Sequence, residues 1–297
     1  MKFLVTGGMG LIGHNVVQRL EAKDHEVVIV DIMTNYGIIP QAELEYLLDE
    51  RSKKIKTQHI YRTDISDAEA FDRVVEEHKP NVIILINVCE SAKKHKVERV
   101  VYISSSMVYG DFEDQVLEDD PCNPIGQYGI MKLCGEDLVK DYQRRGAFDY
   151  AIIRPSAVYG PLDVEDRVVA KFMLAAMRGS VLRVNGVSET LDFTYVDDAA
   201  DGIVAAATRI MSANKTFNIT KSHSVSLLEA AEMIVKIVGR GTIEVRDKDA
   251  DFPSRGALNI DRARTILGFD PKVDVEQGFE NYYNWLNNSV YWSKKAV

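Results

Sequence analysis

The stretch Thr6-Gly7-Gly8-Met9-Gly10-Leu11-Ile12-Gly13 constrains this chain more than any other. It follows the apolar run Phe3-Leu4-Val5 and opens a segment in which Ile12, Val16 and Leu20 recur at helical spacing, so it reads as strand, glycine turn and helix. Such a turn lets backbone N–H groups approach a pyrophosphate and aims the positive end of the following helix at it. Gly7, Gly10, Leu11, Ile12 and Gly13 are the residues expected to face it. A second strand ends in Asp31, roughly twenty residues past the last glycine, where a carboxylate accepts from a ribose and repels a 2′-phosphate. The reading is a dinucleotide site that selects NAD over NADP. Ile32, Asp64 and Ile65 are further cofactor candidates, with a plain turn or cap role competing at Asp64.

Strands and helices alternate from there to Ala151-Ile152-Ile153-Arg154-Pro155, which predicts a doubly wound parallel sheet of the Rossmann kind with sites at the carboxyl ends of its strands. After Pro161 the alternation loosens into helices at about 164–178, 197–211, 226–239 and 275–287 with short strands between them. The expected division is a dinucleotide-binding domain over 1–160 and 190–220, and a smaller α/β substrate domain over 161–189 and 221–297. Residues 37–58, rich in Glu, Asp, Lys and Arg, read as a solvated surface segment without chemistry.

Tyr128 and Lys132 stand four residues apart in an expected helix from about Gln127 to Arg145, so both face one side. A phenol with an ordinary pKa near 10 needs its anion favoured by ~4 kcal/mol to act as a base near pH 7. An ammonium about 4 Å away at an effective dielectric near 20 supplies ~4 kcal/mol. Tyr-x-x-x-Lys alone is a common accident on amphipathic helices. Here it follows the serine run Ser104-Ser105-Ser106 at a strand end.

A net charge of −9 argues against nucleic acid or an anionic membrane as the main partner. No apolar run reaches the length of a membrane span, and Met1-Lys2 leads straight into the first strand, so a cytoplasmic location is expected. Cys89, Cys122 and Cys134 read as ordinary thiols, and the six histidines lack ligand spacing, so no metal is expected.

The glycine turn, the serine run before Val108-Tyr109-Gly110, Tyr128-x-x-x-Lys132, Arg154-Pro155-x-x-Val158-Tyr159-Gly160-Pro161, Asp192-Phe193-Thr194-Tyr195-Val196-Asp197-Asp198 and the late Leu267-Gly268-Phe269-x-Pro271 together resemble an extended short-chain dehydrogenase/reductase. Within that group the chain is most similar to the NAD-dependent sugar-nucleotide epimerases. The resemblance implies that Ser105 shares a hydrogen bond with the sugar hydroxyl, that Tyr128 is the base, and that Lys132 holds the ribose while lowering the tyrosine pKa. It also implies transient oxidation to a keto-sugar and return of hydride to the other face, with a nucleotide-sugar substrate, epimerisation at C4 of a UDP-hexose, and a homodimer as the expected assembly. Ser106 is a second substrate-side candidate, against a structural role for it and for Ser104.

Departures from the family pattern shape the expectations. Dehydratases of this group carry an Asp-Glu pair after the Ser/Thr, whereas this chain has Ser106-Met107, and a thioether cannot protonate a leaving hydroxyl. Relatives' phosphate-contacting Asn and Arg are replaced by Ala157 and Leu191, leaving Arg255 as the candidate diphosphate contact, with a surface role as its rival. The strand Asn81–Leu85 runs into a helical pattern at 86–92 without the usual connection of about 2–6 residues. Roughly 25–35 residues of the family pattern are expected to be absent between about Leu85 and Asn87. Two rival readings are a reductase or dehydrogenase that releases its altered cofactor, and a non-catalytic dinucleotide-binding protein.

Overall fold

A computed structural model describes residues 1–34, 38–85, 89–248 and 253–295. Its centre is a seven-stranded sheet of order β11-β6-β5-β4-β1-β2-β3 in which every pairing is parallel. In chain order its strands are β1 (Lys2–Thr6), β2 (Glu26–Asp31), β3 (Ile60–Arg62), β4 (Val82–Leu85), β5 (Arg99–Ile103), β6 (Asp149–Pro155) and β11 (Lys215–Ile219). The intervening helices are α1 (Leu11–Glu21), α2 (Gln41–Ser52), α3 (Ala68–His78), α4 (Cys89–Lys94) and α5 (Gly126–Arg144). After β6 come β7 (Val158–Tyr159), α6 (Val168–Met177), β8 (Val181–Asn185), β9 (Thr190–Asp192), β10 (Thr194–Tyr195) and α7 (Val196–Thr208). Beyond β11 lie β12 (Ser224–Ser226), α8 (Leu227–Val238), β13 (Thr242–Arg246), α9 (Asp261–Leu267), α10 (Val275–Asn288) and α11 (Val290–Lys295).

Strand alternation divides the core between the two faces of the sheet. Phe3, Val5, Val27 and Ile29 face α1, α7 and α9, while their neighbours Leu4, Val28 and Val30 face α3, α4 and α5. Both faces being covered accounts for the nearly continuous apolar strands. The winding reverses between β1 and β4, and the turn after β1 therefore opens into the crevice where doubly wound sheets bind ligands. A second core gathers α6, α8 and α10 around Tyr159, Phe193, Phe279, Tyr282 and Trp292, with β8 and β13 paired in parallel beside it.

Residues 37–58 correct the sequence reading. Most of the stretch is α2, which buries Leu44, Leu47, Glu43 and Arg51. Arg51 donates to Met9 O at 2.8 Å and Leu162 O at 2.6 Å, and Glu43 accepts from the Glu165 N–H at 2.9 Å. The helix is a brace between the glycine turn and the loop entering the second core. Charge density concealed this because two of the charged side chains satisfy buried backbone groups instead of water. The β4–α4 connection at 86–88, where the family pattern was expected to be interrupted, lies outside the described residues.

Candidate active site

The glycine turn is closed by Gly7 N donating to Val30 O and Gly10 N to Gly7 O, both at 2.9 Å. Gly7 has φ +64°, a left-handed conformation that favours glycine. At Gly13 a Cβ would lie 2.0 Å from Gly7 O, so only glycine lets α1 sit this close to its own turn. No side chain caps α1, and the first-turn N–H groups at Leu11, Ile12 and Gly13 remain as donors at the positive helix end. Asp31 closes the cradle from β2, accepting from Met9 N at 2.8 Å and Met33 N at 2.7 Å. Each carboxylate oxygen keeps a further lone pair for a ribose hydroxyl. An uncapped helix end, an open glycine turn and a carboxylate at the strand tip fit a dinucleotide. Ile32 and Ile65 are half-buried. Asp64 is exposed and accepts from Ser66 N at 2.8 Å, which is the turn role that competed for it.

Ser105 follows β5, and its Oγ accepts from Met107 N at 3.2 Å, starting a short 3-10 turn. Helix α5 lands on that turn through Gly129, where a Cβ would stand 2.5 Å from Met107 O. This close approach sets Tyr128 beside the Ser105 hydroxyl. Tyr128 is 56% exposed, yet burial of its phenol end raises the pKa above 10, while the charge of Arg167 and the Ser105 hydrogen bond pull it down. Lys132 is buried, with Nζ donating to Ile103 O at 2.8 Å and standing 5.5 Å from the Tyr128 ring centroid. Burial lowers its own pKa to about 8.

Two cations therefore bear on this corner of the site, Lys132 and Arg167. One donor of the Lys132 ammonium is tied to Ile103 O at the end of β5, and Arg167, just ahead of α6, adds a charge that pulls the phenol pKa down. Sequence reasoning missed Arg167, although a cation at the N-terminal end of a helix opposes the helix dipole and was a usable signal. Ser106 is buried and donates to Ser156 Oγ at 3.2 Å, and Ser104 donates to Glu136 at 2.6 Å. Arg255 is half-buried, lines an open cleft of about 270 Å³ with Phe112, Thr190 and Ser224, and has a buried Nε without a hydrogen-bond partner among the described residues. Burial pushes its guanidinium pKa down, and Glu189 is the nearby charge that opposes the shift. Another cleft, of about 510 Å³, lies toward the far end of α5 at Asp137, Lys140 and Arg144 and contains none of these residues. Among the described residues no group of three or more His, Cys, Asp or Glu could hold a metal ion, and no helix is long and apolar enough to cross a membrane.

The NAD dependent epimerase/dehydratase family matches the chain in two segments, residues 3–86 and 81–220. A putative UDP-glucose 4-epimerase of Methanocaldococcus jannaschii is 30% identical over 304 residues, covering 96% of this chain and 98% of that protein. UDP-glucuronic acid decarboxylase 3 of Arabidopsis thaliana is 30% identical over 308 residues, covering 94% and 86%. The crystal structure of a UDP-glucuronic acid 4-epimerase from Bacillus cereus, in complex with UDP-glucuronic acid and NAD, superposes with a TM-score of 0.86 at 26% identity, covering 96% of this chain and 98% of that one. The two family segments overlap over residues 81–86, across β4. The agreement of glycine cradle, sheet order and near full-length relatives places this chain in the NAD-dependent epimerase/dehydratase family, with NAD as its cofactor.

Proposed function

We propose that the chain is a sugar-nucleotide epimerase acting at C4 of a UDP-hexose. The observation that carries this reading is the cluster of Ser105, Tyr128 and Lys132 beside a position, Met107, that offers no acid for dehydration. In this reading the Tyr128 oxygen takes the proton of the sugar hydroxyl, and Ser105 Oγ holds that hydroxyl in line. Lys132 holds the ribose and favours the phenolate once its Ile103 tie is shared, and Asp31 accepts from the adenosine ribose. Arg255 contacts the substrate diphosphate. Bound NAD supplies the acceptor and donor of the sugar's hydrogen and electron pair.

The same proposal assigns cofactor binding to residues 1–160 and 190–220 and sugar-nucleotide binding to 161–189 and 221–297, in a cytoplasmic homodimer. It also holds that family-pattern residues are absent between about Leu85 and Asn87. The split of the family match at 81–86 supports that absence.

Incubation with a panel of UDP-hexoses and UDP-hexuronic acids, with products resolved and NADH absorbance followed, tests the reaction. A C4 epimer with no net NADH is the expected result. Stoichiometric NADH formation or consumption would instead identify a dehydrogenase or reductase, and no conversion of any sugar nucleotide would favour a binding protein.

A further inference from the structure

Glu136 is completely buried on α5, and Tyr128, Lys132 and Glu136 recur at every fourth residue along one face of that helix. Both of its carboxylate oxygens are engaged. Oε1 accepts from Arg154 Nε at 2.8 Å and from Ser104 Oγ at 2.6 Å, and Oε2 accepts from Arg154 Nη2 at 2.7 Å. The remaining arm of Arg154, Nη1, donates to Glu118 O at 3.0 Å, and the guanidinium lies 4.7 Å from the centroid of the Tyr109 ring. Tyr109 in turn donates to Asn218 Oδ1 at 2.8 Å.

The buried pair thus grips the segment 104–109 at both ends, at Ser104 through Glu136 and at Tyr109 through Arg154. Ser105 lies inside that grip, and Tyr128 lies on the helix that supplies it. A buried ion pair adds little stability over well-packed apolar groups, so stability is a weak reason to keep one here. Fixing two elements in register is a better one. Gly129 against Met107 O sets how close α5 comes to the serine turn. That steric contact alone does not fix the helix along its axis; the Lys132 tie to Ile103 O and, one turn on, the bidentate fork with its third hydrogen bond from Ser104 do.

We infer that Glu136 and Arg154 are positioning residues that hold Ser104, and through it Ser105, in register with Tyr128 along α5. The inference rests on the proposed role of Tyr128 as base. Losing the register moves the Ser105 hydroxyl away from the Tyr128 phenol, and an anion with less donor support beside it is harder to form. The acidic limb of the kcat profile then moves to higher pH while cofactor and substrate binding stay intact.

The test uses Ser104→Ala, which removes the tie and leaves the ion pair whole, with Ser104→Thr restoring a hydroxyl. Expected for Ser104→Ala is a kcat roughly fivefold to tenfold lower, from loss of alignment, with the acidic limb shifted upward and KM and the NAD Kd within about twofold of the parent. Ser104→Thr should recover both kcat and the limb. Parental kcat and pH profile in Ser104→Ala, or a lower kcat with an unmoved limb, would overturn the inference. Crystal structures of Glu136→Gln and Ser104→Ala give a reading that needs no substrate. A lengthened Ser105 Oγ to Tyr128 Oη separation is expected, and an unchanged one in both variants refutes the positioning role even if the chain epimerises nothing. Ser104→Ala decides the matter if Glu136→Gln does not fold.

Discussion

Gly129→Ala separates stability from activity at this site. The added methyl would stand 2.5 Å from Met107 O and 3.0 Å from Pro124 Cβ, one of them a backbone atom that cannot rotate away. Ordinary C···O contact begins near 3.3 Å, so α5 must retreat from the serine turn by roughly 0.8 Å. Alanine raises helix propensity by about 1 kcal/mol, and overpacking costs about 1–3 kcal/mol, which leaves a net loss of ~0–2 kcal/mol. A displacement near 1 Å between base and substrate-holding hydroxyl is worth about a hundredfold in rate, or ~2.7 kcal/mol of barrier. The expected variant is therefore folded, melts within a few degrees of the parent, binds NAD with parental affinity and turns over about a hundredfold slower. Thermal melts, NAD titration and steady-state kinetics on the sugar nucleotide measure all three. A folded Gly129→Ala with parental kcat would refute the claim that Ser105–Tyr128 spacing governs the rate.

Asp31 should make NADP bind at least tenfold more weakly than NAD, because its carboxylate would face an uncompensated 2′-phosphate; equal Kd values would contradict the assignment. Tyr128→Phe should lose nearly all turnover with an unchanged NAD Kd, whereas Lys132→Met should lose turnover and weaken NAD as well; retention of over a tenth of the rate in Tyr128→Phe would place the base elsewhere. Burial raises Asp163 from the usual carboxylate range to about 7, with Glu43 adding repulsion and Val164 N, Arg167 and Arg51 opposing it. The native state therefore holds a proton that the unfolded chain releases near pH 4, so this group's contribution falls as pH rises toward 7 and is flat above it. Asp163→Asn should consequently gain stability over the parent at pH 8, on the order of 2–4 kcal/mol, and show little difference near pH 4 in denaturant titrations; the same difference at both pH values would refute it.

Most of the cofactor half was legible because its signals are local. Strand, glycine turn and helix must adjoin in sequence for the turn to work, and Gly13 is required by an atom six residues away, Gly7 O. Tyr128 and Lys132 were likewise legible because helical spacing alone puts them on one face. What escaped depends on contacts between distant segments. Arg51 reads as surface charge until Leu162 O, from the other side of the chain, meets it. Arg167, 39 residues from Tyr128 in sequence, gains its bearing on the phenol only through the tertiary fold. Helices α9 and α11 are short enough that their periodicity carries little signal. Glu136 and Arg154 sat in plain view as residues of two recognised motif neighbourhoods, but their pairing is set by the adjacency of β5, β6 and α5.

In the proposed reaction a hydrogen leaves the sugar carbon, stays within the active site and returns to the opposite face. UDP-glucose carrying deuterium at C4, converted by the enzyme in ordinary water and analysed by mass spectrometry, tests it directly. Full retention of deuterium at C4 of the epimerised product is the predicted result, since the label never passes to solvent. Loss of deuterium to water on the path to that product would contradict the account.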